Sequence, residues 1–226
     1  MIKYLLTVTA ALALCLIVLY MAIHIPTFNM ATYTTHFDEH NTADLINISE
    51  AELIAVTRRL VGYMAGTYDD LIIYATVGGY YRPFFTQREI DHMRDVLLLF
   101  RVGRLVLGLC IVSFLVILFW AYKNRYLRLL AKVQFFFGTG VALLGVWLIW
   151  LFHRDFVLYF HIFHDIFFFF DHERLWMLDP REDMLINMVP YIFFINIGRT
   201  VAVIFFSIIA VITTLAGMIF FCKREI

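Results

Sequence analysis

The chain has 226 residues, of which 62% are hydrophobic, with a mean hydropathy of +0.82 and a formal net charge of zero. A soluble domain of that composition exposes too much apolar surface, and balanced charge gives no reason to expect nucleic acid as a partner. The three cysteines, Cys15, Cys110 and Cys222, form no CxxC pair, which argues against a disulfide framework, a structural zinc site or thiol redox chemistry.

In chain order, the first element is an apolar run from Leu5 to Ile25, long enough to cross a bilayer at about 1.5 Å of rise per residue. No small-x-small cleavage site follows at Ala22-Ile23-His24-Ile25-Pro26, so the run reads as a retained signal anchor. Three further runs, Leu105 to Tyr122, Val133 to Leu151 and Val201 to Cys222, complete an all-α integral membrane fold with four transmembrane helices. The lysines fall at Lys3, Lys123, Lys132 and Lys223, joined by Arg125, Arg128 and Arg224. The positive-inside rule then puts both termini and the turn around 123–132 in the cytoplasm, an N-in/C-in chain with its polar cap outside. The expected segments are 1–25, first span; 26–95, first cap segment; 96–122, second span; 123–151, cytoplasmic turn and third span; 152–192, second cap segment; and 193–226, fourth span and tail.

The first cap segment opens at Pro26 with a stretch rich in Thr, Asn and His, read as a loop that includes His36 and His40. Ser49-Glu50-Ala51-Glu52 is a capping box. Leu53, Val56, Leu60, Val61 and Met64 follow at helical spacing, an amphipathic helix lying on the membrane or on the other cap segment. Gly78-Gly79 marks turned backbone. Thr86-Gln87-Arg88-Glu89 is a second capping box, with Phe85 and Ile90 placed as a hydrophobic staple. No breaker follows before Leu105, so this helix runs on into the second span and carries Arg88, His92, Asp95 and Leu99 on one face. In the second cap segment Phe156, Tyr159, Phe160, Phe163 and Phe167 form an aromatic stripe suited to the membrane interface. Asp171-His172-Glu173-Arg174, Trp176, Asp179-Pro180 and Asp183 follow, and Pro190 is expected in the first turn of the last helix.

Histidine is the side chain most easily used as acid or base near neutral pH. His92 has Arg88 and Asp95 one turn away on either side, so a carboxylate can orient its ring; on position alone it also reads as a helix-surface residue at the headgroup level. His161 and His164, spaced i, i+3 and followed by Asp165, admit three readings. They are half of a metal site completed by Asp171 or His172, or a pair bonded to headgroups or backbone, or one of them is an acid or base partner for His92. Arg101, Arg104 and Arg199 sit near span ends, where arginine snorkels or binds an anionic headgroup. No GxSxG elbow, Walker loop or GxGxxG is present, and Ser49, Ser113 and Ser207 are a cap and two span residues, which disfavours a serine hydrolase. Two other classes therefore stay open: a membrane metallohydrolase built on His161 and His164, and a non-catalytic membrane protein that binds lipid or a partner subunit.

The string Arg88-Glu89-Ile90-Asp91-His92-Met93-Arg94-Asp95-Val96 resembles an E-x-x-H-M-x-D-V block of a bacterial membrane family. Phe163-His164-Asp165-Ile166-Phe167-Phe168, Trp176-Met177-Leu178-Asp179-Pro180 and Leu185-Ile186-Asn187-Met188-Val189-Pro190 resemble its later block. The family is the lipoprotein intramolecular transacylases. The resemblance implies four spans under an extracellular cap in the bacterial cell membrane, no cofactor and no metal. It also implies a reaction that moves the sn-2 acyl chain of a diacylated lipoprotein's N-terminal cysteine onto that cysteine's own α-amino group. The family's two catalytic histidines carry over to His92 and His164. The attack closes a ring of about eight atoms, an orientation cost that a tight pocket removes. Substrate contact or pocket walls are expected from Arg88, Asp95, Tyr81, Phe85, Trp176 and Tyr191, with Tyr80 and Phe84 as further wall candidates.

Overall fold

The structure, a computed structural model, describes residues 1–169 and 173–222. Asp171, His172, Lys223 and Arg224 lie outside the described residues. The elements run α1 (Ile2–Thr27), α2 (Met30–His40), α3 (Thr42–Leu45), α4 (Glu50–Ala65), β1 (Tyr74–Val77), β2 (Tyr80–Pro83), α5 (Gln87–Lys123), α6 (Leu127–Arg154), α7 (Phe156–Phe167), α8 (Met184–Met188) and α9 (Tyr191–Phe221). Among the described residues α1, α5, α6 and α9 are long and apolar enough to cross a membrane. The chain divides into two compact units, one of Met1–His24, Gly103–Asp155 and Thr200 onward, the other of Ile25–Val102 and Phe156–Arg199.

The first unit is packed from helix faces with small residues where helices come close, because lipid offers no hydrophobic drive and contact area must come from close approach. Cys15, Val18, Ala22, Phe205 and Ile209 form one buried cluster, and Ala10, Ile117, Ala121 and Leu130 another. Gly145 on α6 faces the ring of Phe206 on α9 so closely that a Cβ there would overlap it. At one end of this unit Lys3 stands 5.4 Å over the Tyr126 ring and Lys132 stands 5.7 Å over the Phe220 ring. There the Arg128 guanidinium donates to the Phe220 carbonyl at 3.1 and 3.2 Å, satisfying an orphan acceptor in the last turn of α9. The start of α1, the turn between α5 and α6 and the end of α9 therefore gather together.

The second unit has a continuous core. Leu53, Val56, Leu60, Val61 and Met64 of α4 pack with Leu71, Phe84, Phe85, Met93, Leu97, Leu185, Met188 and Phe193. The apolar face of α4 is thus buried against protein, and Thr57 Oγ1 lies 3.9 Å from Met188 Sδ across the contact. The stretch after Pro26 is not a loop. Asn29 accepts from the Ala31 amide at 3.0 Å and starts α2, which buries Tyr33, His36 and Phe37. Its Thr- and His-rich composition hides a helix stabilised by a cap and one buried face. The fold is also not wholly α-helical: β1 and β2 pair antiparallel, with Val77 opposite Tyr80. The two residues between them, Gly78 and Gly79, have φ of 60° and 83°, the positive pair that a tight hairpin matching strand twist demands. Pro190 sits immediately before α9 rather than inside it, its carbonyl accepting from Phe193 at 2.9 Å.

Both capping boxes form, and they differ. At Ser49 the hydroxyl accepts from the Glu52 amide at 3.3 Å and donates to Glu52 Oε2 at 2.8 Å, while Glu52 Oε1 accepts from the Thr76 amide of β1 at 2.9 Å. At Thr86 the exchange is reciprocal: Thr86 Oγ1 accepts from the Glu89 amide at 3.3 Å, and Glu89 Oε2 from the Thr86 amide at 2.6 Å. This second box launches the 37 continuous residues of α5. Replacing Gly145 by valine is expected to destabilise the first unit by about 1–3 kcal/mol, the usual cost of overpacking; thermal unfolding of the detergent-solubilised protein should show a lowered melting temperature, whereas the same change at Gly140, where a Cβ meets open space, should leave it near wild type.

Candidate active site

His92 and His164 come from distant stretches of the chain and meet. His92 lies in the second turn of α5, His164 in the last turn of α7, both are buried, and their ring centroids are 6.4 Å apart with planes inclined at 36°. Aromatic rings enclose them. Phe160 lies 4.1 Å and Phe168 5.6 Å from His164, and Trp176 lies 4.9 Å from it. Phe168 also touches the His92 ring, at 5.4 Å. Phe160 and Phe168 are spaced four residues before and after His164, so helical geometry puts all three on one face.

The tautomer of His164 is set by its backbone. Nδ1 lies 2.7 Å from the Phe160 carbonyl oxygen, and a carbonyl can only accept, so Nδ1 carries the hydrogen. Nε2 is then left with its lone pair, the form that takes up a proton. Burial pushes the pKa of His164 below the usual histidine value, with nearby His161 adding to that; the Phe160 carbonyl and the Asp165 carboxylate oppose it. The net direction keeps the ring neutral.

His161 is differently placed. Its Nε2 is 3.3 Å from the Tyr191 hydroxyl, and its ring meets Trp176 at 5.2 Å. Among the described residues no three of His, Cys, Asp or Glu come together as a metal-holding group; Asp171 and His172, named as possible completing ligands, lie outside them.

The remaining candidates divide by position. Trp176 is buried against both histidines of α7, and Tyr191 reaches His161 and packs edge-on against Phe160 at 5.1 Å. Arg88 is exposed and donates to the Arg174 carbonyl at 3.2 Å, and Arg174 in turn pairs with Asp165 at 3.8 Å. Asp95 is half-buried one turn beyond His92. Phe84 and Phe85 are buried in the core of the second unit, packed edge-to-face at 4.9 Å. Tyr80 and Tyr81 are exposed on the hairpin, and Tyr81 stacks on Tyr74 at 5.6 Å. Sequence reasoning passed over Phe160 and Phe168 as site residues, though i±4 counting from His164 finds both. It also treated Glu89 as a cap alone, yet this carboxylate is fully buried and accepts from the Leu185 amide 96 residues away.

Comparison with known proteins bears on the fold and the family. Among solved structures, the membrane-integral lipoprotein intramolecular transacylase Lit from Bacillus cereus superposes with a TM-score of 0.80 at 16% identity, covering 96% of this chain and 95% of that one. A histidine-to-arginine variant of the same protein gives a TM-score of 0.71 and a histidine-to-alanine variant 0.72, each at 16% identity with 96% of this chain covered, and with 92% and 93% of theirs. These likenesses establish the fold. No curated protein matches the sequence. The sequence model described as lipoprotein intramolecular transacylase Lit matches residues 8–194, and the chain therefore belongs to the Lit family, membrane-integral acyltransferases of lipoprotein maturation.

Proposed function

We propose that this enzyme transfers the sn-2 acyl chain of a diacylglyceryl-cysteine at a lipoprotein N-terminus to the α-amino group of the same cysteine, with His164 as base and His92 as its acid partner. The observation that carries this reading is the pair of buried imidazoles 6.4 Å apart, one of them locked with Nε2 free. Nucleophile and ester belong to one substrate molecule, so the enzyme needs no nucleophile of its own. The amine nitrogen attacks the ester carbonyl carbon and gives its proton to His164 Nε2. His92 donates a hydrogen bond to the oxygen that gains charge and then a proton to the departing glycerol oxygen. The amide bond forms as the ester bond breaks, and the proton taken by one ring returns through the site to reset the other. Phe160, Phe168 and Trp176 line the pair with apolar surface and exclude the water that would hydrolyse the ester. Arg88, Asp95 and Tyr191 border this pair and are proposed substrate contacts, with Tyr81 and Phe85 as more distant ones.

The proposed address is the bacterial cell membrane, with segments 26–95 and 152–192 as an extracellular cap and both termini inside. The clustering of Lys3, Arg128 and Lys132 at one end of the first unit supports a common, cytoplasmic side for the termini and the turn after α5. The substrate is delivered in the outer leaflet, and membrane lipid is the second partner.

Replacing either His92 or His164 by asparagine is expected to lower acyl transfer by at least about 100-fold, the scale of a lost acid or base, while the protein still inserts. Mass spectrometry of the lipopeptide reads this directly, since transfer moves one acyl group from glycerol to nitrogen at unchanged total mass. The pH dependence has a defined sign. The attacking amine must be neutral and has a reference pKa of roughly 7.7–8.0; His164 must also be neutral, and burial holds its pKa below the ordinary histidine value. The logarithm of kcat/KM should therefore rise with unit slope through the neutral range up to the amine pKa. Below the depressed His164 pKa the slope should steepen to two, and the steepening should vanish in the His164→Asn enzyme; steepening that persists without His164 would remove it from the role of base.

A further inference from the structure

The geometry points to Glu89 as the positioning residue of this site, a carboxylate that ties the helix bearing His92 to the segment bearing Trp176. A capping box uses one carboxylate oxygen, and Glu89 spends Oε2 that way on the Thr86 amide at 2.6 Å. The other oxygen is surplus to the cap. Oε1 accepts from the Leu185 amide at 2.5 Å, at the first turn of α8. Thr86 adds a parallel tie, its hydroxyl donating to Asp183 Oδ1 at 3.0 Å. Asp183 in turn accepts from the Asp179 amide at 2.8 Å, and Asn187 donates to the Asp183 carbonyl at 2.9 Å and the Pro180 carbonyl at 2.6 Å. The 179–187 segment is thus a hydrogen-bonded block clamped to the first turn of α5. Trp176 stands at its entrance, against His164, and His92 stands three residues past Glu89.

The residue type follows from the clamp and not from the cap. Glu89 is fully buried, where an ionised carboxylate is costly unless its oxygens are occupied. Two backbone N–H groups face its two oxygens, so the position demands two acceptors. Glutamine brings one acceptor and one donor, and sets an NH2 against an N–H. Aspartate is one methylene shorter; it can serve the Thr86 cap or reach toward Leu185, but not span both. Loosening the clamp lets the two walls of the histidine site drift apart, and sub-ångström drift is enough to degrade an oriented reaction. This inference rests on the reading of His92 and His164 as the acid–base pair.

The test uses the full-length enzyme in proteoliposomes with a synthetic diacylglyceryl-cysteinyl peptide as substrate, comparing wild type, Glu89→Gln, Glu89→Asp, Thr86→Val and His92→Asn. Rates are expressed per molecule able to bind a non-reactive ether-linked analogue, which removes misfolded protein from the count. Both Glu89 variants are expected to lose at least about tenfold in kcat with KM within about twofold, the signature of a lost transition-state geometry. Thr86→Val, which removes the hydroxyl's cap bond and its tie to Asp183 but leaves both carboxylate oxygens on their amides, should lose less. If Glu89→Gln does not fold, Glu89→Asp carries the comparison with Thr86→Val as its reference. Wild-type kcat per binding-competent molecule in the Glu89 variants, or a change confined to KM, overturns the positioning role, whatever happens to protein yield. A His92→Asn enzyme with wild-type turnover overturns the acid–base reading itself; an inactive His92→Asn enzyme beside fully active Glu89 variants overturns only the clamp.

Discussion

Helix α5 begins where Thr86 and Glu89 exchange hydrogen bonds, and much of the second unit is arranged around that start. Four amides at a helix N-terminus lack partners, and burying them without acceptors is costly. The Thr86 box supplies acceptors in a place where Glu89 is sealed from solvent. The start of the helix cannot slide by a residue without breaking the exchange. The same 37-residue helix carries His92 in its second turn and continues as one of the membrane-spanning candidates. The box thus sets the angular position of an imidazole within the second unit.

The opposite wall is built by a different device. In α7 the His164 ring bonds back to the Phe160 carbonyl one turn earlier in the helix. The His164 carbonyl, one of the last four that a helix leaves without a partner, accepts from the Phe168 amide at 2.8 Å. A single backbone acceptor thereby decides which nitrogen of His164 carries the hydrogen and which keeps its lone pair. Aromatic enclosure does the rest, since it withdraws water and makes the charged imidazolium unfavourable. In the proposed reaction those two effects act together: orientation presents the lone pair, and desolvation keeps it available at neutral pH.

Much of this was legible in the residues. The four long apolar runs follow from hydropathy alone, and both capping boxes from the spacing of Ser49 with Glu52 and of Thr86 with Glu89. The continuity of α5 follows from the lack of any Gly or Pro between Thr86 and Arg101. The strings around His92 and His164 that resemble the family single out two histidines whose rings the fold brings within 6.4 Å. Other features were hidden for stated reasons. Helix α2 has a polar sequence, because its buried face includes His36, which reads as a loop residue until tertiary contact covers it. The hairpin at Gly78-Gly79 shows only as a turn, because four-residue strands carry too little alternation to stand out.

The sequence by itself determined what is local or compositional: the membrane-spanning runs, the helix starts, the turn at the glycine pair and the class of side chains available for chemistry. These follow from short-range hydrogen bonding and from transfer of apolar side chains out of water, which depend little on what lies far along the chain. Tertiary structure alone decided what depends on distant partners. It brought His92 within 6.4 Å of His164, hid His36 and Phe85, left Tyr81 exposed, and gave the second oxygen of Glu89 a backbone amide from α8. The physical reason is that a side chain's burial and hydrogen-bond partners are set by which remote surfaces pack against it, and no local pattern encodes that choice.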